Sequence, residues 1–181
     1  MTDVNHTQAL KLKIWTEERN YAVGESIILA MEVRNAGNRP IRLSEFFMAP
    51  ADDPLKNNLE VHVTDDAGKH LSRVSGVLTG RLEFYPQIQS IDPGEAYRDS
   101  IQLAGTFVRK KGRKKVTQAL WSLGENPELY MSEYPPMTPG DFQVQVIYRV
   151  NEKHLISLNE AERTEVWRGE LVSNTIELSI T

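Results

Sequence analysis

Apolar and polar residues alternate with period two in six stretches of the chain, the mark of half-buried β-strands. Leu10, Leu12 and Ile14 point one way, and Lys11 and Lys13 the other. Ile27, Leu29, Met31 and Val33 form a second apolar row, opposed towards its end by Glu32 and Arg34. Leu59, Val61 and Val63 lie against Glu60, His62 and Thr64. Tyr97, Ile101 and Leu103 face away from Arg98, Ser100 and Gln102, with Asp99 sharing their parity. Phe142, Val144, Val146, Tyr148 and Val150 give the longest row, against Gln143, Gln145 and Arg149. Ile176, Leu178 and Ile180 close the series, set against Thr175, Glu177 and Ser179. One buried and one wet face per strand is what antiparallel sheets require.

Turn chemistry falls between the rows. Asn35-Ala36-Gly37-Asn38 predicts a tight hairpin with Gly37 and Asn38 at positive φ. Asp65-Asp66-Ala67-Gly68 predicts a second turn, between Val63 and Leu71. Asp92-Pro93-Gly94-Glu95 and Pro139-Gly140-Asp141 each stand just ahead of a strand. A parallel α/β fold would need long helical segments between strands, and helical spacing is scarce. The pattern therefore predicts an all-β, immunoglobulin-like antiparallel β-sandwich of about seven to nine strands. Such a sandwich takes about 100 residues. The remainder is expected as insertions at about 44–58, 72–89, 104–138 and 151–164 of a single domain over 10–181, behind a flexible tail at 1–9. Short helices are expected at Val116–Leu123, stopped by Gly124, and at Leu158–Val166, capped by Asn159.

Composition narrows the chemistry. At 181 residues, the chain buries roughly 70% of its unfolded surface and needs no metal or disulfide to complete a core. The absence of cysteine excludes a disulfide scaffold, a thiolate metal site and a cysteine nucleophile. No apolar run approaches the ~20 residues of a membrane-spanning helix. The opening MTDVNHTQAL has neither the basic start nor the apolar stretch of a secretory signal. The net charge is −4, yet Arg109, Lys110, Lys111, Arg113, Lys114 and Lys115 place six cations within seven positions. Taking those six from −4 leaves −10 for the rest of the chain. An acidic body thus carries one basic spot.

Several stretches resemble a known group of proteins. Tyr21-Ala22-Val23-Gly24-Glu25-Ser26-Ile27 leads into Val33–Ile41, followed by Ile91–Glu95, Pro139–Val144, Trp167–Leu171 and Ser173-Asn174. This order resembles bacterial and archaeal immunoglobulin-like β-sandwich modules, including intracellular proteinase inhibitor domains and adhesion-type modules. The resemblance runs from Leu10 to Ile180 on turn and strand motifs, so it implies architecture and no particular chemistry. Such modules often carry Tyr after the Pro-Gly turn, its hydroxyl tying a loop to the strand. Here that position is Phe142.

The basic run Arg109–Lys115 is the sharpest candidate for binding, able to engage phosphates, sulfates or an acidic partner. No aromatic-rich strand flanks it, which points away from single-stranded nucleic acid. Tyr130, Tyr134 and Met137 offer apolar contact within the proline-bearing stretch Glu128–Thr138. Trp15, Trp121 and Trp167 are expected in the core or at sheet edges. His62 and His70 are expected to face each other across the Asp65–Gly68 turn, without the third ligand and the spacing that zinc needs. No Gly-x-Ser-x-Gly elbow, His-Glu-x-x-His pair or phosphate loop is present. The sequence thus implies a non-catalytic interaction module with no cofactor and no metal. It would present loops to a protein or an anionic polymer. A loop occupying a protease cleft, as in the resembling inhibitors, is the alternative, and unpaired edge strands offer a route to homodimers.

Overall fold

The computed structural model describes residues 10–44, 58–70, 88–108, 115–118, 139–150, 155 and 158–181. These form β1 (Leu10–Trp15), β2 (Asn20–Tyr21), β3 (Ile27–Asn35), β4 (Ile41–Ser44), β5 (Leu59–Asp65) and β6 (Ile88–Ile91). They continue with β7 (Ala96–Val108), β8 (Lys115–Gln118), β9 (Gly140–Arg149), α1 (Glu160–Glu165), β10 (Glu170–Val172) and β11 (Ile176–Ile180). A first sheet has the order β1-β3-β7-β8. In the second, β9 is central, with β5 on one edge, β10 and β11 on the other, and β2 beyond β11. β4 and β6 make a small antiparallel pair of their own.

The first strand is shared between the two sheets. β1 pairs β3 in one, and after a short crossing β2 runs parallel to β11 in the other. Backbone bonds Ser179 N to Arg19 O and Thr181 N to Tyr21 O, both 2.9 Å, hold that crossing. This order is that of an immunoglobulin-like sandwich, with first, second and fifth strands in one layer and third, sixth and seventh in the other. The edge position beside the fifth strand is filled by β8, which follows β7 as its hairpin partner.

The inward rows are the ones the alternation singles out. Ile14, Leu29, Met31, Val33, Val144, Val146 and Tyr148 have no exposed surface. Val61, Tyr97 and Ile176 are only partly buried and pack against that core. The shared parity of Asp99 does not take it inside, and it stays exposed.

Local structure departs from expectation in three places. The Asn35–Asn38 turn closes no hairpin: β3 pairs β1 and β7, and β4 pairs β6. Positive φ is found at other glycines, such as Gly68 (77°) and Gly94 (83°). The corner is instead held by the buried Asn35 side chain. Its Nδ2 donates to Arg39 O (2.8 Å) and Ile91 O (2.9 Å), and its Oδ1 accepts from Gly37 N (2.9 Å). Secondly, Val116–Gln118 is not helical, because Lys115–Gln118 pairs with Gly105–Val108. The β-branched Val116 and Thr117 suit a strand, and β7 offers a free edge. Residues 119–123 lie outside the described residues. The stretch expected as an insertion from Ala104 therefore opens as a hairpin of the first sheet. Thirdly, the described residues hold eleven strands, because pairings of two to four residues such as β2, β8 and β10 are too short to show a period.

Other local readings hold. The Asp65–Gly68 turn closes with Gly68 N to Asp65 O at 3.0 Å, and the next turn with Glu95 N to Asp92 O at 2.9 Å. α1 falls within Leu158–Val166, and Asn159 caps it in a reciprocal box with Glu162.

Candidate binding face

Alternation sends Lys11, Lys13 and Trp15 of β1, and Ile28, Glu32 and Arg34 of β3, to the outer face of the first sheet. The register sets Lys11 opposite Arg34, Lys13 opposite Glu32, and Glu32 opposite Arg98 of β7. Four cations therefore share this face with Glu32, and the two arginines touch its carboxylate. Arg98 Nε donates to Glu32 Oε2 at 2.8 Å and Arg34 Nε to Oε1 at 3.1 Å. These two guanidinium groups hold the Glu32 carboxyl below the usual carboxylate range. Glu32 is only 13% exposed, whereas Arg34 and Arg98 remain 48% and 67% exposed. The Lys13 ammonium lies 6.0 Å from the centre of the Trp15 ring. Trp15 and Ile28, 37% and 46% exposed, are the large apolar side chains on this face among the described residues.

The outer face of the second sheet is self-paired by comparison. Arg149 spans three strands, reaching Glu60 at 3.2 Å and Glu170 at 2.8 Å. Two clefts, of about 390 and 740 Å3, meet at Arg19, Gln143 and Glu177. Their charged groups are partly used up: Arg19 pairs with Glu177, and Ser179 donates to Asp141. The His62 and His70 rings do face each other, 6.0 Å apart and edge to face. His70 Nδ1 contacts Thr64 Oγ1 at 3.2 Å. Asp65 Oδ1 is occupied by the amides of Ala67 and Lys69. Among the described residues no group of three His, Asp or Glu side chains is placed to hold a metal ion.

A polar corner lies deeper, where β4 meets β9. The buried Tyr148 hydroxyl donates to Ser44 O at 2.6 Å, and burial raises its pKa well above the tyrosine norm. Its ring stacks on Trp167 at 6.0 Å. Trp167 N bonds to Arg42 O at 2.7 Å, while its buried Nε1 has no partner among the described residues. Phe142 is buried without a hydroxyl. The phenolic tie thus comes from the other end of β9 and joins it to the end of β4.

Of the residues singled out from sequence, Lys115 is the first of β8, opposite Val108. Arg109, Lys110, Lys111, Arg113 and Lys114, which join β7 to β8, lie outside the described residues, as do Tyr130, Tyr134, Met137 and Trp121. Sequence reasoning missed the face of Lys11, Lys13, Arg34 and Arg98. Each was visible as the polar half of an alternating row, but only the strand register brings them together.

No family model matches the chain, and no curated protein matches it. Among solved structures it is similar to the CARDB domain of the PF1109 protein from Pyrococcus furiosus, solved in complex with di-metal ions. The identity is 13% and the TM-score 0.37, over 95% of this chain and 87% of that one. It is also similar to a β-glucosidase from Listeria innocua in complex with glucose, at 12% identity and a TM-score of 0.38 over 94% of this chain. The chain spans only 16% of that enzyme's length. The fold assignment rests on the strand order above.

Proposed function

We propose that the protein is a non-catalytic interaction module that captures an anionic partner on the outer face of the β1-β3-β7-β8 sheet. The observation that carries this reading is the set of four cations sharing a face with one carboxylate, with an exposed Trp15 at the sheet edge. In an otherwise acidic molecule, such a face attracts an anion locally and leaves the rest of the surface repelling it. The run Arg109–Lys115 joins β7 to β8 of the same sheet, and in this reading it extends the capture surface past the strand ends. Tyr130, Tyr134 and Met137 serve as further apolar contacts.

Retention on an immobilised polyanion across a salt series tests the reading. If all four sheet cations displace counterions, log affinity falls against log salt with a slope of about −3. The Lys11→Gln/Lys13→Gln variant should flatten that slope, and neutralising Arg109–Lys115 should flatten it separately. A wild-type chain that ignores polyanions at low salt would remove the proposal.

A further inference from the structure

The chemistry around Glu32 goes beyond a patch of like charge. Each carboxylate oxygen accepts from the Nε of one arginine, Oε1 from Arg34 and Oε2 from Arg98. Nε is the inner donor of a guanidinium, so this contact fixes the plane of the group and leaves the outer donors for a ligand. The Nη groups of Arg98 make no hydrogen bond to the described residues. Arg34 adds only a long contact from Nη1 to Gly94 O, 3.4 Å. The site therefore holds two planar forks on one anchor, each shaped for the two oxygens of a carboxylate or sulfate.

The neighbours of the forks narrow the ligand. Lys11 and Lys13 line the β1 side, one side-chain step of roughly 7 Å apart. Trp15 follows one step further, flanked by Ala30 and Ile28. Neither described cleft includes Arg34, Arg98, Lys11 or Lys13, and only the larger one reaches this face, at Trp15. A flat face with cations at regular steps and one apolar ring suits a ribbon-like polymer bearing an anion on every unit. Single-stranded nucleic acid would call for a ladder of aromatic platforms, and among the described residues this face carries one exposed aromatic. An acidic peptide bound by its side chains would call for pockets. We infer that the Arg34–Glu32–Arg98 clamp is a preorganised oxyanion receptor for an acidic polysaccharide, with Trp15 as the stacking platform for a sugar ring. This rests on the anionic capture proposed above and names its partner class and its positioning residue, Glu32.

Glu32 makes the inference testable, because two mechanisms predict opposite signs. Removing a negative charge from a merely basic patch should strengthen anion binding. Removing the anchor of two forks should weaken it. The full-length chain is titrated with a heparin-derived oligosaccharide and with a polyphosphate of matched charge. Glu32→Gln is expected to weaken oligosaccharide binding roughly fivefold despite the more positive face. Arg98→Lys keeps the charge, loses the fork and stays at an exposed position, and it should show a similar loss. Trp15→Ala should weaken the oligosaccharide and leave polyphosphate unchanged. Tighter or unchanged oligosaccharide binding by Glu32→Gln, with Arg98→Lys also neutral, would overturn the clamp. Equal wild-type affinity for the two polyanions, with Trp15→Ala neutral towards both, would overturn the sugar assignment. In either case salt-sensitive binding lost in Lys11→Gln/Lys13→Gln keeps the broader reading alive, whereas no wild-type binding to either polyanion ends both.

Discussion

Tyr148 shows how one side chain takes over a task that its fold usually gives to another. The position after the Pro-Gly turn holds Phe142, which packs in the core without a hydrogen bond. The phenol that makes a tie is Tyr148, whose hydroxyl donates to Ser44 O at the end of β4. Tyr148→Phe keeps the ring stacked on Trp167 but leaves a buried carbonyl without its donor, so it should cost about 1–3 kcal/mol. The pH dependence has a fixed sign. A tyrosine whose folded pKa is raised contributes fully below its unfolded value of about 10, and that contribution fades as pH rises towards the folded value. The stability gap between wild type and Tyr148→Phe, from urea unfolding, should stay constant below about pH 10 and shrink above it. A gap that persists unchanged into alkali would refute this account of the buried phenol.

Among the elements, β1 is an edge strand open to unwanted pairing. Its residues Leu10, Leu12 and Ile14 turn their backbone groups to the edge that β3 does not occupy. Asn174, in the short break between β10 and β11, closes part of that edge. Its Oδ1 accepts from Ile14 N at 2.9 Å and its Nδ2 donates to Ile14 O at 3.1 Å, copying one step of a β-ladder with a side chain. The same amide links the two sheets where the first strand is about to cross between them. Asn174→Ala removes both bonds and bares the strand edge. Its expected effect is about 1–2 kcal/mol of destabilisation. Hydrogen exchange at the Ile14 amide should quicken, along with a rise in association at high concentration. Unchanged Ile14 exchange would mean that Asn174 is a passenger.

At the scale of the whole molecule, the two layers share one apolar filling. β3 is central to the first sheet and β9 to the second, and their inward residues include Leu29, Met31, Val144 and Val146, none with exposed surface. With no disulfide to tie the layers, this packing carries their association. Leu29→Ala should then cost about 3–5 kcal/mol and lower the protection of amides in both sheets together. Loss of protection confined to β1, β3 and β7 would show that the layers unfold independently. Charge is divided at the same scale. The first sheet presents cations outward, while the second pairs its acids with Arg19 and Arg149.

What was legible in the sequence is what depends on neighbours along the chain. Period two marked the inward residues of β1, β3, β9 and β11, because a strand must bury alternate side chains whatever it pairs with. Gly68, Gly94 and the Asn159 cap were readable because turns and helix ends are local hydrogen-bond problems. The sequence went astray at Asn35–Asn38 and Val116–Gln118, where the outcome hinged on the partner strand: β6 for β4, β7 for β8. The proposed binding face is of the same kind. Lys13, Glu32 and Arg98 are far apart in the chain and become neighbours only through strand register. Alternation by itself determined which side of each strand meets water. Only the tertiary pairing decided which charges share that side, since register is fixed by contacts between strands and leaves no periodic trace within any one of them.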